Sequence, residues 1–368
     1  MSPAVLGMTV GMTGMTEVPV GMDSEHFSNR RYTVIEKKPV MGVLLGDSSG
    51  IGPEIVAKLV GRSEIYEQAK VVIIGDYRVF RMGQKIAGLS HPVTLTDQID
   101  SVQFEIGRPV FFDYPTISDK EVTLGKVNPK SGKAVVDTLS FTLDLALEKK
   151  IDGFIFASFN KEAMILGGLP YHSELDFFKA KFNRPDIPGE VNVLDDLWTT
   201  RVTSHIGIAQ VSALITRESV HNTIRFMDGV LRTFGIENPR LAVSALNPHA
   251  GEGGMFGPEE KEAITPAIEM AKAEGIDAEG PFPADTIFLR IKKGNYNAIV
   301  SMYHDQGQIA MKLMGFERGV TVIGGLPVAI ATPAHGSAFD IAGKGIANPE
   351  ALTRAFLIAG RLAARLKS

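Results

Sequence analysis

Apolar and polar positions divide the chain into short buried runs separated by glycine-rich turns and helical stretches. Val40 to Leu45 is an apolar run that ends in Gly46, Asp47, Ser48, Ser49, Gly50, Ile51, Gly52, Pro53 and Glu54, after which Ile55, Val56, Leu59 and Val60 recur at helical spacing. That pattern predicts strand, loop, helix. Val71 to Ile74, Phe154 to Ala157, Leu241 to Ser244 and Ala298 to Tyr303 predict further strands, and Lys133 to Leu147, Glu259 to Ala273 and Ala351 to Leu366 predict helices among them. Such alternation predicts α/β layers with largely parallel sheets. The Gly and Pro clusters around Leu169 to Pro170, Arg184 to Gly189 and Gly280 to Pro283 read as loops. Residues 1–38 show neither periodicity, and Met8, Met12 and Met15 each sit in a Gly-Met-Thr triplet, so this segment reads as a flexible extension.

Composition narrows the possibilities. A chain of 368 residues, 44% hydrophobic and 22% charged, is long enough for two α/β lobes. A net charge of -4 without a basic run removes nucleic acid as a partner. No apolar run reaches the roughly 18 residues that span a bilayer, so no membrane association is expected. With no cysteine, any metal must be held by the eight histidines and by carboxylates. The absence of cysteine is also compatible with a cytoplasmic location.

Three histidines stand at strand ends or in polar loops: His205 after Thr203 and Ser204, His249 in NPHAGEGG, and His304 after the strand ending at Tyr303, where it and Asp305 are expected to enter a turn. Their separations, 249−205=44 and 304−249=55, suit a catalytic metal gathered from separate strands rather than a finger-like structural site. Taken singly, each also fits a structural or surface role. Further on, HGSAFDIAGKGIANP opens with small residues that let backbone N–H groups approach a phosphate or an adenosine closely. A metal and a dinucleotide would then share one cleft.

GDSSGIGPEI, FNKEA, YHSE, TSH, NPHAGEGGMFGPEE, GPFPADTIF and YHDQG occur in the order and approximate spacing of the 4-hydroxythreonine-4-phosphate dehydrogenase family, a resemblance covering nearly everything from Val40 onward. The closing HGSAFDIAGKGIANP is similar to the nucleotide loop of isopropylmalate and isocitrate dehydrogenases, the wider superfamily. The resemblance implies two α/β/α lobes with the cleft between them and a homodimer whose subunits both contribute to each site. It implies a divalent metal (zinc, magnesium, manganese or cobalt) on His205, His249 and His304, and substrate held by His172, Ser173 and Lys312. The matching cofactor is NAD, with NADP an alternative, on His335, Gly336, Ser337, Ala338, Asp340, Gly343 and Asn348. A metal on three neutral imidazoles keeps its full charge and can lower the pKa of a substrate hydroxyl. Lys161 and Lys312 are candidate proton donors or carboxylate anchors, and Asp285 is a candidate to orient a ligand or relay a proton. Asp285 equally fits a helix cap near Thr286.

The chain departs from the phosphate-using relatives at two substrate contacts, where Thr321 stands for an Asn and Ile330 for an Arg. Aliphatic Ile cannot replace a guanidinium fork on phosphate. A related branch that oxidises cis-dihydrodiol carboxylates such as the terephthalate-derived diol shares the Ile323, Gly324, Gly325 run and HGSA. The expectation is therefore a metal- and NAD-dependent dehydrogenase of an unphosphorylated small carboxylate, with decarboxylation. The alternatives are 4-hydroxythreonine 4-phosphate or a four-carbon sugar-acid 4-phosphate as substrate, and a metal- and nucleotide-binding paralogue without turnover. The expected lobes are 39–155 with 300–368 for the nucleotide, and 156–299 for the dimer contact and metal.

Overall fold

The five expected apolar runs all form strands, and they belong to a single sheet in a computed structural model that describes residues 38–187, 189–292, 294 and 296–367. The extension expected over residues 1–38 lies, apart from Lys38, outside the described residues. The strands are β1 Val40–Leu44, β2 Lys70–Gly75, β3 Thr94–Thr96, β4 Val110–Asp113, β5 Gly153–Phe156, β6 Glu190–Leu194, β7 Leu197–Arg201, β8 Arg240–Ser244, β9 Asp277–Phe282, β10 Ala298–Ser301, β11 Val320–Ile323 and β12 Ala329–Pro333. Their order across the sheet is β3-β4-β2-β1-β5-β12-β11-β6-β7-β10-β8-β9. Neighbours are parallel from β3 to β12 and again from β7 to β9. Between them β12, β11, β6 and β7 pair antiparallel, so the second parallel group runs opposite to the first.

The helices are α1 Gly52–Leu59, α2 Ser63–Gln68, α3 Tyr77–Ala87, α4 Pro129–Leu147, α5 Lys161–Leu166, α6 Glu174–Lys181, α7 Ile208–Leu214, α8 Arg217–Phe234, α9 Thr265–Ala273, α10 Ala284–Lys292, α11 His304–Gly315 and α12 Glu350–Lys367. They cover both faces of the sheet, which is why the strands read as unbroken apolar runs. Along β1 and β2, Val43 and Ile73 enter one core while Leu44 and Ile74 enter the other, as the two-residue strand period requires. Each such side chain contributes about 1.5–3 kcal/mol by leaving water. Asp76 caps α3 by accepting from Arg78 N–H at 3.0 Å, and Asn128 caps α4 ahead of Pro129. Among the described residues no helix is long and apolar enough to cross a membrane.

Three local expectations change. Gly280 to Pro283 is not simply a loop: β9 runs through Phe282, its pairing with β8 shifting register between Ala242 and Ser244. The strand before His304 stops at Ser301, and His304 and Asp305 open α11 instead of entering a turn. Helix α10 begins at Ala284, which puts Asp285 inside its first turn, where a carboxylate favours the helix dipole.

Candidate functional site

Strands β1, β5 and β12 are parallel neighbours, so the loops leaving their carboxyl ends meet, as open α/β sheets require. Asp47 N–H donates to Ser158 O at 3.1 Å, Ser158 Oγ donates to His335 O at 2.7 Å and lies 3.2 Å from His335 Nδ1, and Ile51 N–H donates to Ser337 O at 3.0 Å. Gly50 lies so close that a Cβ there would stand 2.7 Å from Ser337 O. Gly336 is exposed, and a Cβ there would meet no atom within 4 Å. Ala338 has φ +44°, a left-handed conformation that non-glycine residues adopt at a cost. Asp340 and Gly343 are exposed beyond it, while Asn348 turns to α12, its Oδ1 accepting from Glu350 N–H at 3.0 Å. Two buried atoms, Asp47 Oδ2 and Ser337 Oγ, have no hydrogen-bond partner among the described residues. Burial raises the Asp47 carboxyl from 3.8 to about 6, against the opposing Ser49 N–H bond. Open backbone at Gly336 beside buried polar atoms without partners fits a polar ligand such as a dinucleotide.

The second cluster stands at the carboxyl ends of β7, β10 and β8, again parallel neighbours. The His205 and His304 rings are 5.5 Å apart between centroids. His249 stands elsewhere, 6.3 Å from the Phe256 ring, and no three His, Cys, Asp or Glu among the described residues of one chain are grouped to hold a metal. One chain thus brings together two of the three expected ligands. Burial is the largest influence on His205 and lowers its pKa; Glu190 opposes, while Lys161, Arg201 and His304 lower it further. A neutral imidazole is the form that binds a metal, so this environment fits such an ion.

Backbone strain marks the same positions. His205 has φ +49°, and His249, Ala250, Gly251, Glu252 and Gly253 all lie in left-handed space. Each non-glycine residue there costs about 1–2 kcal/mol. Glu260 offsets that cost: its buried carboxylate accepts from Leu246 N–H at 2.8 Å, Asn247 N–H at 2.7 Å and Asn247 Nδ2 at 2.9 Å. It sits in a single π-helical turn, Glu260–Ile264, a departure from α-helix that often accompanies functional sites.

The expected substrate residues divide. Lys161 opens α5 with Nζ 3.9 Å from Glu174 Oε2, and its charge acts on His205. Ser173 caps α6, accepting from Asp176 N–H at 3.1 Å, and exposed His172 precedes it. Lys312 lies two turns after His304 along α11, on the same face as Gln308. Thr321 Oγ1 accepts from Asn192 Nδ2 at 3.0 Å. Ile330 is fully buried in the core that also holds Phe154 and Phe178, so it lines no substrate pocket.

A polar network unforeseen in the sequence adjoins His205. Arg201 donates to Glu190 at 2.8 Å, to Asn192 at 2.9 Å and, through Nε, to Ser204 Oγ at 2.9 Å, while Gln308 also donates to Asn192. Its signal was present as charged and amide residues inside the short apolar strands EVNVL and LWTTR.

The family model described as pyridoxal phosphate biosynthetic protein PdxA matches residues 67–359. A Pseudomonas aeruginosa protein provisionally named 4-hydroxythreonine-4-phosphate dehydrogenase 2 is 43% identical over 88% of this chain and 97% of its own. An Oceanobacillus iheyensis protein provisionally named D-threonate 4-phosphate dehydrogenase is 38% identical over 87% of this chain and 97% of its own. The crystal structure of 4-hydroxythreonine-4-phosphate dehydrogenase from Klebsiella pneumoniae superposes with TM-score 0.79 at 31% identity, covering 89% of this chain and 98% of that one. A terephthalate 1,2-cis-dihydrodiol dehydrogenase from Burkholderia xenovorans superposes with TM-score 0.60 at 26% identity, covering 86% and 96%. With its motifs, its sheet and these relatives in agreement, the chain belongs to the PdxA family and shares the dehydrogenase class for which those relatives are named.

Proposed function

We propose that the chain oxidises the 3-hydroxyl of a four-carbon hydroxy acid carrying a 4-phosphate, the class to which 4-hydroxythreonine 4-phosphate and D-threonate 4-phosphate both belong, with NAD as hydride acceptor. The expectation of an unphosphorylated substrate gives way. It rested on Thr321 and Ile330 forming the substrate's pocket end, whereas Ile330 is sealed in the core and Thr321 pairs with Asn192, and the relatives sharing 43% and 38% identity are named for phosphate esters.

The observation that carries the chemistry is the 5.5 Å approach of His205 to His304. These two imidazoles from one chain, with His249 of the partner subunit, would hold the divalent ion, and a set of imidazoles favours zinc or cobalt over magnesium or manganese. An ion so held supplies Lewis-acid polarisation of a substrate hydroxyl and of the carbonyl that replaces it. The residues of the chain supply the rest. Burial lowers the His205 pKa and so favours its neutral form. Lys161 and His172 present positive charge and a ring N–H to the phosphate, and Lys312 anchors the carboxylate. Backbone from His335 to Ala338 holds the nucleotide beside the α1 terminus, with Asp340, Gly343 and Asn348 completing the loop. Asp285, exposed at the start of α10, is the candidate to orient the nicotinamide or relay a proton. Oxidation at C3 leaves a ketone β to the carboxylate, from which carbon dioxide can depart.

NADH absorbance with the two phosphate esters, their dephosphorylated acids and a cis-dihydrodiol carboxylate tests this reading. The expected result is a kcat/KM for at least one phosphate ester far above that for its dephosphorylated acid and for the diol. Equal or better turnover of the diol would overturn the proposal.

A further inference from the structure

The side chains of the Gly-Ile-Gly-Pro-Glu stretch after β1 have no assigned role in the hydride transfer proposed above, yet the stretch is fastened to both ends of the nucleotide loop. At the near end stand the Ile51 to Ser337 hydrogen bond of 3.0 Å and the Gly50 approach that excludes any Cβ. At the far end, Glu54 Oε1 accepts from Ala347 N–H at 2.8 Å and from Lys58 Nζ at 2.7 Å. Lys58 Nζ donates in addition to Gly345 O at 2.9 Å and Ala347 O at 2.7 Å. All three ammonium donors are therefore engaged, two of them on the loop. The Glu54 side chain is 1% exposed and that of Lys58 19%, so these charged hydrogen bonds are shielded from water.

We infer that Glu54 and Lys58 are positioning residues for nucleotide binding: one turn of α1 sets the height of the loop's carboxyl-terminal half, so that the nucleotide meets a preformed arch and has no loop to order. A loop fixed before binding lowers the entropic cost of association. A buried ion pair is a poor device for stability alone, since an apolar pair of similar size serves as well or better. Here Lys58 directs two donors to the carbonyls of Gly345 and Ala347, and Glu54 accepts from the Ala347 N–H. The exposed middle of the loop, Asp340, Gly343 and Lys344, is left to face the ligand. The inference rests on the reading of 335–349 as the nucleotide loop.

The test uses the full chain and NAD itself. NAD affinity is measured by calorimetric titration, bound metal by elemental content, and loop order by hydrogen exchange across 337–347. The variants are Lys58→Met, Lys58→Arg, the charge-balanced Glu54→Gln with Lys58→Met, and Gly336→Trp as a loop control. Lys58→Met and the double variant should weaken NAD about tenfold or more, speed exchange between Ala338 and Ala347, and leave metal content and the KM for the hydroxy acid unchanged. Lys58→Arg should recover part of the affinity. The double variant keeps the question answerable should Lys58→Met alone fail to fold, because it leaves no buried charge unpaired. Wild-type NAD affinity in the double variant, with Gly336→Trp impaired, overturns the positioning role alone. Unchanged affinity in Gly336→Trp overturns the nucleotide-loop reading beneath it. Equal loss of NAD and metal shows general loosening and also overturns the positioning role.

Discussion

Asp47 is a fully buried carboxyl whose Oδ2 meets no donor among the described residues, while Oδ1 accepts from Ser49 N–H at 2.9 Å. Burial lifts its folded pKa from 3.8 to about 6, so the folded chain holds this proton more tightly than the unfolded chain does. The stability it contributes is present below the unfolded pKa and is lost as pH rises through about 6. Two pKa units correspond to about 3 kcal/mol at most. Asp47→Asn keeps the Oδ1 acceptor and cannot titrate, so its stability relative to wild type should rise from about pH 4 to about pH 8. Thermal melts at the two ends check this, and a constant difference would show that the carboxyl does not titrate in that window. Asp47 was legible in the sequence only as a turn residue, because burial is not written in its neighbours. Ile330 shows the opposite failure: its place in the motif was read as a place in the pocket, whereas its strand register turns it into the core beside Phe154.

The segment from Pro248 to Gly254 is an element whose conformation depends on another element. Its left-handed run costs energy at His249, Ala250 and Glu252, and the acceptors that hold it in place belong to Glu260 at the π-helical turn preceding α9. Glu260→Ala leaves the Leu246 and Asn247 backbone N–H groups without their acceptor, each worth about 1–3 kcal/mol when buried, while Asn247 Nδ2 keeps its bond to Glu259. Urea titration should show a loss of about 3 kcal/mol or more, with a smaller loss for Glu260→Gln, whose Oε1 still accepts from the two backbone N–H groups. A wild-type urea midpoint for Glu260→Ala would refute this account. At this scale the sequence was most legible where strands are buried on both faces, as in β2 and β5, since no polar residue interrupts their apolar runs. Strands β6 and β7 escaped notice because Glu190, Asn192, Thr199, Thr200 and Arg201 interrupt the pattern, and those interruptions are the network beside His205. The NPHAGEGG motif gave the histidine but not its strain, which follows from backbone angles that spacing does not encode.

For the molecule as a whole, the reversal of strand direction across β11 and β6 separates two groups of carboxyl ends, one gathering the 335–349 loop and the other His205 and His304. The link between them that the electrostatics reveal is Lys161, which follows β5 and acts on His205, which follows β7. His249 joins neither His205 nor His304 within one chain, although its loop leaves β8, whose parallel neighbour β10 precedes His304. The elements that carry these histidines expose large apolar side chains: Ile208 on α7, Met255 beside the His249 loop, and Ile309 and Leu313 on α11. A second copy covering that face would bury them and could bring its own His249 to the His205 and His304 pair, and we propose that each metal site is shared in this way. His249→Ala and His304→Ala homodimers should each be inactive. In a mixed dimer, one of its two sites takes His205 and His304 from the first variant and His249 from the second, and is whole. Co-refolding equal amounts should therefore restore about a quarter of wild-type turnover, since about half the dimers are mixed and each carries one intact site. Bound metal should follow the same proportion. Mixed samples that stay inactive and metal-free while forming dimers would show that all three ligands come from one chain, and that His249 must move to reach the other two.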